Sequence, residues 1–174
     1  MSGKIVGLVI LISALVAGGA LYYLQVYGYY EDVSADIADV RLMPLNADEP
    51  VRIPADNIEA IDAQSSPIRF RACFEASSDL DALAETYVSI DAVPRNAPGW
   101  FGCFDAVAIA DELKAGTALV FLGEKNVNYG VDRVVAVTQD GRGYIWHELN
   151  DCGEKAYDGT VIGEECPPLP GADQ

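Results

Sequence analysis

Four cysteines, one histidine and a run of aromatic residues separated in sequence from a pair of alternating arginines are the side chains whose types and spacing could do chemistry here. The cysteines are Cys73, Cys103, Cys152 and Cys166. Thiolates at such positions could hold zinc, cycle in redox chemistry or close disulfides. Zinc knuckles, thioredoxin-like redox sites and haem attachment all need a Cys-x-x-Cys pair, and the chain has none; His147, the only histidine, is not spaced with any cysteine as a zinc ligand would be. Disulfides are therefore expected. Three pairings are open to four cysteines; Cys73–Cys103 and Cys152–Cys166 are favoured, the first tying a strand to the segment before a helix and the second closing an irregular tail. Each would contribute on the order of 2–4 kcal/mol. No metal and no other cofactor is expected.

His147 lies in Trp146-His147-Glu148 on an expected strand. It could act as a general base with Glu148 or as a phospho-acceptor, but adjacent strand residues point to opposite faces, so the two could not readily share a site. A buried strand histidine is the favoured reading. The doublets Asp48-Glu49, Asp111-Glu112 and Glu164-Glu165 read as solvated surface in a chain with 27 acids. Gly-x-Ser-x-Gly, a phosphate loop and an EF-hand calcium loop are all missing, so no catalytic residue is expected. The possible binding patch is Trp100, Phe101, Arg69 and Arg71. Residues 97–104 place Trp100, Phe101 and Phe104 after a Pro-Gly turn, as an exposed patch or, the favoured reading, an aromatic plug on the core. Arg69 and Arg71 alternate on an expected strand and would share a face. They could hold an anion, although pairing with nearby acids is favoured.

The elements that must position these groups follow from periodicity. Residues 5–24 carry no charge and only Ser13 as a clearly polar interruption. As a helix they span a hydrocarbon core of ~30 Å, and Tyr22, Tyr23, Tyr27, Tyr29 and Tyr30 form an aromatic belt at their end. A cleaved signal peptide is the competing reading, because small residues at 17–20 could satisfy a protease. The expected organisation is a tail at 1–4, a transmembrane helix at 5–27, an acidic proline-containing stalk at 28–57, with β-prone stretches at 40–42 and 51–53 read as an edge strand, and an α+β domain at 58–174. Within the domain, strands are expected at 68–74, 117–122, 130–138 and 144–149, with 123–129 a loop and Asp140-Gly141 a hairpin turn. One helix should start at Ser78 as N-cap, the other run from Asp105 as N-cap to Gly116. The expected fold class is α+β: one N-terminal transmembrane helix followed by a small antiparallel sheet with two helices on one face, stapled by disulfides.

Charge decides among partners. The chain carries a net charge of −16, and residues 31–174 hold all 27 acids with all but one of the 11 bases, for −17. That sign repels phosphate backbones and anionic lipid headgroups, so nucleic acid and binding to an anionic membrane surface are not expected. Lys4 on one side of the helix and Glu31-Asp32 on the other favour a cytoplasmic N-terminus and a periplasmic domain at an inner membrane.

The stretches GKIVG and YYLQVY, Ser66–Phe74, Pro98–Asp105, Tyr129–Arg133 and Trp146-His147 resemble a family of uncharacterised, single-pass membrane-anchored proteins from alphaproteobacteria of the Rhodobacter–Roseobacter group. The resemblance covers nearly the whole chain and implies no catalytic residues. Members sometimes carry a histidine-kinase label, which would need dimerisation helices and ATP-binding boxes that this chain lacks. Two roles are expected: a non-catalytic accessory or assembly factor partnered with a membrane protein complex, or a periplasmic sensor module for a small anionic ligand.

Overall fold

Val134-Val135-Ala136-Val137 is apolar without alternation, the pattern of a strand covered on both faces. The computed structural model places it in an interior strand of such a sheet. The structure describes residues 2–34 and 38–168; residue 1 of the expected tail, residues 35–37 of the expected stalk and residues 169–174 of the expected domain lie outside the described residues.

Helix α1 (Gly3–Tyr23) passes through a π-helical turn (Leu24–Gly28) straight into strand β1 (Tyr30–Asp32). The helical stretch Gly3–Gly28 is 26 residues long, its most apolar 18 residues have a mean hydropathy of 2.4, and none of it is buried. It is the one helix among the described residues long and apolar enough to cross a membrane. A short hairpin follows, β2 (Arg41–Leu42) with β3 (Val51–Arg52), and then β4 (Ala55–Ala63), β5 (Arg71–Ala76), α2 (Leu80–Thr86), α3 (Ala106–Ala115), β6 (Ala118–Asn128), β7 (Val131–Thr138) and β8 (Arg142–Leu149). The six-stranded sheet is antiparallel throughout, in the order β1-β4-β5-β8-β7-β6.

Register sorts the side chains into two cores. Ala60, Ala72, Ile145, Val135 and Phe121 form one row across five strands and face the first core. Cys73, Tyr144, Ala136 and Val120 form the next row and face the second. Leu80 and Leu83 of α2 pack on the first face and Ile109 of α3 on the second. The helices therefore lie on opposite faces of the sheet, not on one face as expected; helical periodicity marks an apolar side without saying which side of the sheet receives it.

Three local expectations are corrected. Residues 28–57 are not a free stalk: Ala38, Val40, Leu42 and Ile53 are buried in the first core, and β1 pairs with β4. Their acids and prolines hid the alternation of Ala38, Val40 and Leu42. Residues 123–129 are not a loop up to Asn128, because β6 continues through two register shifts. Helix α2 is capped by Asp79, whose carboxylate accepts from the amides of Asp81 (3.0 Å) and Ala82 (3.4 Å), and not by Ser78. Helix α3 keeps Asp105 as N-cap and left-handed Gly116 as its stop. The disulfides pair Cys73 with Cys103 (Cα–Cα 6.2 Å) and Cys152 with Cys166 (4.9 Å), and the tail beyond β8 runs irregularly.

Candidate functional site

A helix ends with carbonyls that have no partner inside it, and something else must satisfy them. At the end of the apolar helix two of those donors come from the folded body. Arg69 Nη1 donates to the Gln25 carbonyl at 3.1 Å, with Nη2 on the Gln25 side-chain oxygen, and Trp100 Nε1 donates to the Val26 carbonyl at 2.7 Å. A cation there also complements the negative end of the helix dipole. The aromatic rings complete the clamp: Tyr27 stacks on Trp100 with centroids 6.3 Å apart, Tyr30 meets Trp100 edge-on at 5.8 Å, and the Arg69 guanidinium lies 5.6 Å from the Tyr30 ring centre.

Beside this clamp opens a cleft of about 490 Å³, lined among others by Gln25, Val26, Arg69, Arg71, Arg95 and Asn96. Three of the chain's 11 basic residues line it and, among the described residues, no acid does. In a body of charge −17 that is a local reversal of sign.

Arg71 is its foundation. On β5, 5% exposed, its guanidinium donates to the carbonyls of Arg95 (3.1 Å), Asn96 (3.2 and 3.0 Å), Ile68 (2.9 Å) and Phe70 (2.6 Å). These bonds hold the loop at 95–96 against the turn at 68–70 and so shape the cleft. Burial lowers the Arg71 guanidinium to about 10, which leaves it charged at neutral pH. Its partners are carbonyls rather than the acids expected for it, so no carboxylate hydrogen-bonded to it neutralises the charge. Arg95 sits 3.6 Å from Glu148, and its Nε is enclosed without a hydrogen-bond partner.

Arg69 and Arg71 do meet, by a different route from the shared strand face expected for them. Strand β5 begins at Arg71, and Arg69 reaches the cleft from the preceding turn. Trp100 and Phe101 part company: Trp100 is 41% exposed against the helix end, whereas Phe101, at 9%, is packed into the second core with Phe104. Arg95 was missed; the signal was an arginine held between Pro94 and Pro98 in a chain with few bases.

His147 belongs to the scaffold. It is 3% exposed and stacks on Phe70 at 4.8 Å. Its Nδ1 lies 2.8 Å from the Pro67 carbonyl, and Arg133 Nε approaches its Nε2 at 3.3 Å. Nδ1 therefore carries the proton and Nε2 accepts. Burial lowers its pKa to about 4, so the ring is neutral at physiological pH. Glu148 points away, toward Arg95. Among the described residues no group of three or more His, Cys, Asp or Glu side chains is placed to hold a metal ion.

A family model described as "Family of unknown function (DUF6446)" matches residues 40–167, most of the chain. No curated protein and no solved structure matches it.

Proposed function

The chain belongs to this family of unknown function, and with that as premise we propose from its own geometry that it is a single-pass, membrane-anchored accessory protein whose non-catalytic domain is held in a fixed pose at the membrane surface. The clamp carries this reading. A domain on a flexible tether would sample many orientations, whereas here α1 runs without a linker into β1 and its last carbonyls are satisfied by Arg69 and Trp100 of the body. A body fixed to its helix presents one face at one height, the arrangement a subunit seated on a membrane protein complex requires. The distribution of Lys4 against Glu31 and Asp32 supports a cytoplasmic N-terminus and a periplasmic domain at the inner membrane. Affinity purification from native membranes in mild detergent tests the reading. Membrane subunits should co-purify with the natural chain and be depleted with Trp100→Ala; a protein that runs alone at native expression refutes it.

The arginine cleft supports a second reading, a module that binds a small anion. Guanidinium groups match carboxylate and phosphate oxygens in geometry as well as charge. A thermal-shift screen with small carboxylates and phosphates checks it, and the absence of any shift would sink it.

A further inference from the structure

We propose that the cleft seats the phosphate of a phospholipid headgroup from the same bilayer that α1 spans; this rests on reading the cleft as an anion site. Three observations converge. The cleft is lined by Arg69, Arg71 and Arg95 and, among the described residues, by no acid, and Arg95 Nε is an enclosed donor without a partner. Arg71 is spent on carbonyls and contributes its charge. Arg69 gives one hydrogen bond from each of Nη1 and Nη2 to Gln25 and keeps its remaining N–H groups, and Arg95 lies 3.6 Å from Glu148 with its other N–H groups left over, so these two are the groups that meet the ligand. Phosphate oxygens accept from guanidinium groups in the bidentate geometry that makes such bonds strong.

The second observation is height. Helix α1 has 21 residues, which at ~1.5 Å each rise by about 31 Å, the thickness of a hydrocarbon core. The residues just beyond it, Gln25 and Val26, line the cleft. The cleft thus opens where headgroup phosphates lie. Exposed Tyr22, Tyr23, Tyr27 and Tyr29, with Trp100, stand at the same level as an interfacial belt.

The third is the source of the anion. A charge of −17 repels free phosphate in solution. A lipid headgroup is confined to the interface beside the cleft, and that confinement raises its effective concentration. The net charge still opposes diffuse adsorption to an anionic surface; membrane affinity comes from the helix, and the cleft only selects a headgroup.

The full chain, extracted from bilayers of mixed phosphatidylcholine and phosphatidylglycerol, is examined by native mass spectrometry for retained lipid. A parallel arm measures its melting in detergent with inorganic phosphate. One phospholipid should survive extraction, with phosphatidylglycerol preferred, and Arg95→Gln and Arg69→Gln should each weaken retention on the order of tenfold. Retention that is unchanged in both variants identifies annular lipid only and overturns the proposal. A melting shift with inorganic phosphate and no retained lipid overturns the lipid source while the anion site stands. No response in either arm removes both. The comparison of lipid with inorganic phosphate uses the natural chain and needs no variant to fold.

Discussion

Replacing Trp100 by alanine should release the helix end without unfolding the domain. The substitution removes the 2.7 Å bond to the Val26 carbonyl and the ring contacts with Tyr27 and Tyr30. A neutral hydrogen bond contributes about 0.5–1.5 kcal/mol net, and each aromatic pair a similar amount. Because Trp100 is 41% exposed, the low ends of these ranges apply, about 1.5 kcal/mol in all. The balance between clamped and released states then moves by roughly tenfold. Hydrogen exchange on the full chain in lipid nanodiscs reads this directly: amides of residues 26–30, including the Tyr29 amide bonded to the Leu24 carbonyl at 3.1 Å, should lose protection by that factor. Amides of β7, paired on both sides within the sheet, should not change. Trp146, 0% exposed, becomes the only indole, and its emission reports that the core is intact. Trp100→Phe keeps the stacking and loses the bond, so it should show an intermediate effect, roughly twofold. Unchanged exchange at 26–30 in Trp100→Ala, or an equal rise in β7, would show that no such clamp operates.

Four further outcomes follow from the same geometry. The folded protein resists protonating His147 until about pH 4, whereas an unfolded chain takes up that proton near 6.5; its contribution is whole above pH 6.5 and falls by on the order of 3 kcal/mol as the pH drops to 4. His147→Gln should flatten that part of a melting-temperature profile, and a wild-type minus variant difference independent of pH would contradict it. Replacing Cys73 and Cys103 together by serine, which opens a sequence separation of 30, should cost about 4 kcal/mol in denaturant unfolding. The same change at Cys152 and Cys166 should expose the tail to limited proteolysis while the domain's melting barely moves, since the tail packs little on either core; a large drop in melting would show otherwise. Gly143→Ala drives its new methyl group into the Phe74 ring across the β5–β8 pair and should destabilise by about 1–3 kcal/mol, which a denaturation midpoint unchanged from wild type would disprove.

Much of the fold was legible because its signals are local. The caps of α3, the apolar run of β7, the Asp140-Gly141 turn and the uncharged stretch at 5–24 each announce themselves within a few residues. The pairing of Cys73 with Cys103 was legible too, since each neighbours an element that has to be fastened. The segment at 38–53 was legible in part: its β-prone stretches at 40–42 and 51–53 contain β2 and β3, but its prolines and acids hid that Ala38, Val40, Leu42 and Ile53 are buried in the first core. Of the site, the arginine pair and Trp100 were visible as an unusual grouping of types, but the strand face meant to unite Arg69 with Arg71 does not include Arg69.

By itself the sequence determined the two domain helices, most of β5 to β8 and the stretch long and apolar enough to cross a membrane, because propensity, capping and periodicity act between neighbours; β1, β4 and the far end of β6 carried no such local signal. Tertiary structure alone decided that α2 and α3 take opposite faces of the sheet, that Arg71 spends its hydrogen bonds on backbone carbonyls, and that Arg69 and Trp100 reach back across 44 and 74 residues to the helix end. A carbonyl's need for a donor is written into every helix end. Which residue meets that need depends on where the rest of the chain has packed.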